Sequence, residues 1–318
     1  MKITFLNVGH GDCTVIEHAS GRLTMVDVNN CNELDKESLA EISQYYSSIN
    51  TQSMLAEALG IRSFRMIKEA GYDVELTNPI EFLIKNYQGK NVFRYVQTHP
   101  HLDHMSGIEQ LKAHQVDILN LWDTAHSFTP EFQTDADRTS WNEYIRLQGS
   151  STGLPKALRL YCGDTGTFWN QDQNNANSGD SIDILHPNRT TLQSIQDSEN
   201  INNLSYVLRV TLGGVRIILA GDAETAVWDD LVSRYGQDLK CSVLKASHHG
   251  RESGYHETAM SLMKPNYTVV SVGKKPETDA SDKYRKHSDN VWSTRWKGNI
   301  EITYDSAGKA TISSQYDR

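Results

Sequence analysis

Three histidines and one aspartate fall within six residues of the stretch Thr98-His99-Pro100-His101-Leu102-Asp103-His104. Imidazole and carboxylate are ligands that suit zinc, manganese or iron. The stretch follows the apolar run Val92-Phe93-Arg94-Tyr95-Val96, which reads as a strand. In an extended chain the alternating His99 and His101 can reach one ion. Asp103 and His104, just past a turn, can reach a second. Two ions ~3.5–4 Å apart form a clamp for hydrolysing esters and phosphodiesters. The competing reading is a solvated histidine cluster, for which neither the preceding strand nor the aspartate is required.

The chain has 318 residues, enough for one large domain with a substantial core. We take it as a single domain over 1–318. No apolar run approaches the ~20 residues that a membrane span needs. Net charge is −9, which weighs against nonspecific binding of long nucleic acid, although a local basic groove can overcome it. Cys13, Cys31, Cys162 and Cys241 are scattered with no C-x-x-C pair, which suggests reduced thiols and a cytoplasmic location.

Apolar alternation places strands over residues 2–8 and 13–18 around the turn Gly9-His10-Gly11-Asp12. Leu23-Thr24-Met25-Val26 is a third strand, with Asp27 at its carboxyl end. Leu39, Ile42, Tyr45, Tyr46 and Ile49, then Leu55, Leu59, Phe64 and Ile67, repeat at helical spacing. They predict a helical insertion over about 31–76, serving as core packing, a lid, or a homodimer or partner contact. Residues 123–181 read as a mostly irregular, polar, variable loop region, the expected substrate-contacting segment. Gly213-Gly214 joins two strands as a hairpin, and Ala223–Tyr235 is an amphipathic helix closed by Gly236. A later strand, Ser242–Ala246, leads into His248-His249.

His99-Pro100-His101-Leu102-Asp103-His104 resembles the signature of the metallo-β-lactamase superfamily. Asn7–Asp12, Met25-Val26-Asp27, Ala220-Gly221-Asp222-Ala223-Glu224 and Leu244–Gly250 resemble, in order, the motifs of its ComEC/Rec2-type branch. The resemblance implies a four-layered αββα sandwich and one or two divalent ions, zinc or manganese. It implies His99, His101, Asp103, His104, Asp222 and His249 as metal ligands, with Asp222 bridging. Asp12 and Asp27 would support them from behind. His249 is favoured as ligand because Gly250 follows it; His248 then becomes a substrate contact or proton donor. Asn202-Asn203-Leu204-Ser205 stands where many relatives supply a further histidine, so the ion held by His99 and His101 is expected to be the weaker one. His186 could substitute, or could mark a structural turn with Pro187; His126 is a second outside candidate.

The activity implied is metal-dependent hydrolysis by a metal-bound hydroxide, with Asp103 and His248 catalytic. The expected substrate is a phosphodiester, DNA or a nucleotide, and no membrane is involved. Hydrolysis of a small ester, such as a phosphocholine ester or a lactone, is the alternative. A non-enzymatic protein with a structural metal is a third reading. Lys283, Arg285, Lys286 and Arg295, interleaved with Trp292 and Trp296, are the expected substrate-binding residues, since cationic and aromatic side chains suit phosphate and base contact.

Overall fold

The computed structural model describes residues 1–30, 40, 75–150, 153–171, 174, 179–190, 192, 200–305 and 309–316. The helical insertion expected over 31–76 lies almost wholly outside the described residues, and nothing is concluded about it.

Fourteen strands among the described residues form two sheets. They are β1 Lys2–Phe5, β2 Thr14–Glu17, β3 Leu23–Val26, β4 Arg94–Val96, β5 Asn120–Trp122, β6 Lys156–Leu158, β7 Ile182–His186, β8 Val207–Leu212, β9 Val215–Leu219, β10 Val243–Lys245, β11 Tyr267–Val270, β12 Asn290–Ser293, β13 Ile300–Tyr304 and β14 Ala310–Ser314. The first sheet runs β14-β13-β1-β2-β3-β4-β5-β6 and the second β12-β11-β10-β9-β8-β7. Each mixes an antiparallel part with a parallel part. Strands β3 to β6 are parallel to one another, and so are β9 to β12.

Among the described residues the five longer helices are α1 Pro79–Asn86, α2 Ile108–Ala113, α3 Asp135–Gln148, α4 Thr225–Tyr235 and α5 Glu257–Met263. Side chains alternate across a strand, so one strand can serve two cores. Ile217 and Leu219 of β9 face inward with Ile3, Phe5 and Val96 of the first sheet. Ile218, between them, faces outward with Trp228 and Leu231 of α4 and Met260 of α5. On the first sheet, Met25 and Tyr95 face outward onto Ile80 and Leu83 of α1 and Leu111 of α2. Three apolar layers thus separate four structural layers, and the fold is the expected αββα sandwich. Strands buried on both faces explain why the sequence reads there as near-continuous apolar runs.

Among the described residues of 123–181 most are irregular, as expected, but the segment also holds α3, over 135–148, and β6, which extends the first sheet. Thr134 and Asp137 form a reciprocal capping box at the start of α3, and Trp141, Tyr144 and Leu147 bury one face. The polar remainder of the helix, Asp-Ala-Asp-Arg-Thr-Ser at its start, masked this sparse apolar stripe in the sequence.

Candidate metal centre

The parallel strands of both sheets end at one edge, and the site is built from the loops that follow them. Asp27 follows β3, the His99–His104 motif follows β4, Asp222 follows β9, and His248-His249 follow β10. The two sheets are joined here by Tyr206 N, which donates to Thr98 O at 3.0 Å. Gly221, at φ +52°, lets the Ala-Gly-Asp turn sit on this junction, since a Cβ there would lie 3.0 Å from the Cβ atoms of Thr98 and Ser205.

Asp222 is the hub. Its Oδ2 lies 3.4 Å from His104 Nε2, 3.5 Å from His249 Nε2, 3.8 Å from His99 Nε2 and 3.9 Å from His248 Nε2. Asp103 Oδ2 lies 3.2 Å from His249 Nε2 and 3.9 Å from His104 Nε2. Asp222 is not the helix cap: Glu224 holds that position. His101 sits at the rim, with its Nδ1 2.9 Å from His99 Nε2 and its ring against Phe128.

The outer nitrogens are also held. Asp27, at φ +57°, accepts from His104 Nδ1 at 2.8 Å and from Thr98 N and Oγ1 at 2.8 and 2.7 Å. His249 Nδ1 donates to Ser271 O at 3.0 Å. Such partners fix the tautomer and aim of a ligating imidazole.

His248 and His249 do not alternate as strand residues would. Both adopt left-handed backbone, at φ +48° and +53°, a conformation that costs roughly 1–3 kcal/mol per residue and gathers at functional sites. The turn buries His249 against Asp222 and Asp103. It leaves His248 half-buried, with Nδ1 2.7 Å from Ser253 Oγ and 2.9 Å from Glu224 Oε1.

Charge follows this geometry. Burial opposes a proton on His104, but Asp222, Asp27 and Asp103 outweigh it and raise its pKa well above the ordinary value. His249 is raised in the same way, against burial, chiefly by Asp222. Burial keeps His99 and His101 low. Asp103 and Asp222 are held far below the usual carboxylate range by the neighbouring imidazoles, despite burial. This is a carboxylate set arranged around positive charge.

The residues fit a divalent ion. His104 Nε2, Asp222 Oδ1 and Asp12 Oδ1 are buried without a hydrogen-bond partner, and buried polar atoms in that state call for a missing ligand or ion. Three groups of donors, His99/His104/Asp222, Asp12/Asp27/His104 and Asp12/Asp222/His249, each lie within 4.8 Å of one another and are wholly buried. His101 belongs to no such group among the described residues.

Other candidates fall outside the cluster. His186 Nε2 meets Asn203 O at 3.0 Å, and His126 Nε2 meets Tyr144 Oη at 2.8 Å. Burial lowers both pKa values to about 4. In the basic segment, Lys283 pairs with Glu252 at 2.8 Å and Arg285 with Asp282 at 2.5 Å, while Arg295 stacks on Trp296. Lys283 thereby lies against the loop that follows His249.

Three residues at the site were not singled out from the sequence. Lys245 is buried and ion-paired with Asp12, tying the end of β10 to the β1–β2 turn. Its signal was a lysine inside the apolar strand Val243-Leu244-Lys245, where an unpaired charge would be costly. His10 stacks on His249 with ring centroids 4.7 Å apart, and Arg251 follows the histidine pair. Gly11 brings the turn in: a Cβ there would lie 2.5 Å from Asp103 O.

No family model matches the chain. A stretch of 128 residues is 28% identical to "Competence protein ComA" of Neisseria gonorrhoeae, covering 39% of this chain and 18% of that protein. A stretch of 127 residues is 28% identical to "ComE operon protein 3" of Bacillus subtilis strain 168, covering 38% of this chain and 16% of that protein. The matched stretches thus span less than a fifth of either relative's length. Among solved structures, the metallo-β-lactamase fold protein YhfI from Bacillus subtilis is 13% identical with a TM-score of 0.41, covering 98% of this chain and all of that one. CmlA, a diiron β-hydroxylase from Streptomyces venezuelae, is 9% identical with a TM-score of 0.42, covering 91% of this chain and 52% of that one. At such scores the fold rests on the layering itself. No helix among the described residues is long and apolar enough to cross a membrane. In its αββα layering and its ordered motifs from Asn7 to Gly250 the chain resembles ComEC/Rec2-type proteins of the metallo-β-lactamase superfamily, and over less than two-fifths of its length it is similar to two competence proteins.

Proposed function

We propose that the protein is a metal-dependent hydrolase of phosphodiesters, with DNA or a nucleotide as its substrate. The observation that carries the reading is the convergence of four imidazole nitrogens within 3.9 Å of one Asp222 oxygen, with Asp103 beside them. His99, His101, Asp103, His104, Asp222 and His249 would hold one or two zinc or manganese ions. When bound, such ions supply Lewis-acid polarisation and an activated water at neutral pH.

The chain's own residues do the rest. Asp27 and Ser271 aim the His104 and His249 rings, so these imidazoles need no reorientation on binding. Lys245 fixes Asp12, which keeps the β1–β2 turn closed over Asp103. Asp12 N donates to Asp103 O at 3.2 Å in that turn. His248, oriented by Glu224 and Ser253, presents Nε2 near Asp222 and is placed to give a proton to a leaving oxygen. The basic segment packed on the His249 loop supports a polyanionic substrate. The test is incubation with Mn²⁺ or Zn²⁺ and a panel of linear DNA, plasmid, RNA, cyclic dinucleotide, bis-p-nitrophenyl phosphate and a small carboxylic ester. Cleavage of a phosphodiester is expected. Turnover of the carboxylic ester alone would move the protein to the small-ester reading.

A further inference from the structure

Arg251 differs in its pairing from many of the described arginines. Arg94, Arg146, Arg189, Arg209 and Arg234 each meet a carboxylate within 3.2 Å. Among the described residues no carboxylate is paired with Arg251, although it is half-buried and its Nε is sealed from solvent with no hydrogen-bond partner. Its backbone is fixed: N donates to His248 O at 3.0 Å, and the residue bridges Asp279. The nearest acid in sequence, Glu252, is turned to Lys283.

Its side chain places Nη2 at 3.5 Å from His10 Nε2. A guanidinium has only donors, so His10 Nε2 must be the acceptor there. The His10 ring in turn lies on His249, and donor atoms of His10, Asp103 and His249 lie within 4.8 Å of one another. The guanidinium therefore sits one imidazole's width from the metal-ligating cluster. The β1–β2 turn carrying His10 is pinned by Asn29, whose Nδ2 donates to His10 O at 2.8 Å.

We propose that Arg251, steadied by His10, is an anion-binding arm of the metal centre that takes the non-bridging oxygens of a phosphate ester. A planar donor fork matches such oxygens in a way that a lysine does not. A phosphate supplies the counter-charge that no described carboxylate gives this arginine by direct pairing. The proposal rests on the phosphodiesterase reading for its substrate, but its anion site can be tested apart from turnover.

The experiment measures binding of inorganic phosphate to the metal-loaded protein by calorimetry, with metal content measured in parallel. R251A should weaken phosphate by about 10- to 100-fold, the loss expected for charged hydrogen bonds, with unchanged metal content. R251K should fall between R251A and the parent, because it keeps the charge and loses the fork; it also serves if R251A does not fold. H10A should weaken phosphate less than R251A. With bis-p-nitrophenyl phosphate, KM should rise more than kcat falls. Equal phosphate affinity in R251A or R251K and the parent, absence of phosphate binding to the parent, or loss of metal from R251K would each overturn the arm. A parent that binds phosphate through Arg251 but hydrolyses no diester would overturn the phosphodiesterase reading and leave the arm standing.

Discussion

His104 and His249 are held differently from His99 and His101, although all four lie at one strand edge. The rear nitrogens of His104 and His249 are fixed by Asp27 and Ser271, leaving the front nitrogens aimed at Asp222. The rear nitrogen of His99 meets Thr98 Oγ1 at 3.1 Å, and its front nitrogen meets His101. His101 lies at the rim. Carboxylates outweigh burial at the first pair, whereas burial prevails at the second. If these side chains hold metal, what stands behind each would make it a firm or a soft ligand. His186 lies outside the cluster, with its Nε2 at Asn203 O.

The largest expected effect comes from removing shared or anchoring carboxylates. Asp222→Ala should strip metal from both pairs and bring hydrolysis to background. Asp103→Ala should lose at least one ion and all hydrolysis. Elemental analysis showing full metal content in Asp103→Ala would remove Asp103 from the ligand set. Next, Asp27→Asn should lower metal affinity about 10- to 100-fold, as loss of a partner behind a ligand does. A fluorescent chelator titration should place that loss on the His104 side, and a uniform loss would break the distinction between the pairs.

A third, smaller effect concerns order of release. Mild chelation of the parent should eject the ion at His99 and His101 first, and His101→Ala should make that ion leave at still lower chelator. Two ions released together would show that both pairs are equally firm.

A control far from both pairs sharpens the comparison. Asp180 accepts from Arg22 and Ser20 and pairs with buried Arg94 at 3.2 Å. Burial would raise its pKa, but Arg22, His18, Ser20 and Arg94 together lower it. A carboxyl depressed on folding stabilises above its unfolded value, ~4. That stability is lost as pH falls through the folded value. Asp180→Asn should therefore lower the melting temperature near pH 7, by about 3–5 kcal/mol of stability because Arg94 is left buried and unpaired. It should also flatten the fall below pH ~4 that the parent shows. The order of metal release should not change; if it does, the two pairs report global stability and not their own surroundings.

The smallest effect on the metals should come from the basic segment. Reversing Lys283, Arg285, Lys286, Arg295 and Lys297 should weaken DNA cleavage and flatten its salt dependence. Hydrolysis of bis-p-nitrophenyl phosphate should stay within a few fold. DNA cleavage equal to the parent at moderate salt would remove the segment from the substrate surface.

Much of the fold was legible where local periodicity was strong. The apolar alternation around Gly9–Asp12 and the Gly213-Gly214 hairpin appear as β1–β2 and β8–β9, each strand starting or ending within a few residues of the expected position. Helix α3 was missed because its apolar stripe is sparse and its capping box looks like polar loop. The directions of His248 and His249 were not legible from strand alternation, because β10 ends at Lys245 and both histidines turn left-handed.

By itself the sequence determined the donors that lie close together along the chain: the His99–His104 motif, the strand that delivers it, and the Gly-Asp and His-His-Gly turns. These are local patterns, set by side-chain period and backbone freedom. Only the tertiary structure decided which donors meet. Asp103 reaches His249 across 146 positions, Lys245 reaches Asp12 across 233, and Arg251 reaches His10 across 241. Those pairings arise because two sheets, packed face to face, bring their parallel strand ends to one edge. No residue in the chain encodes that edge until both sheets have folded.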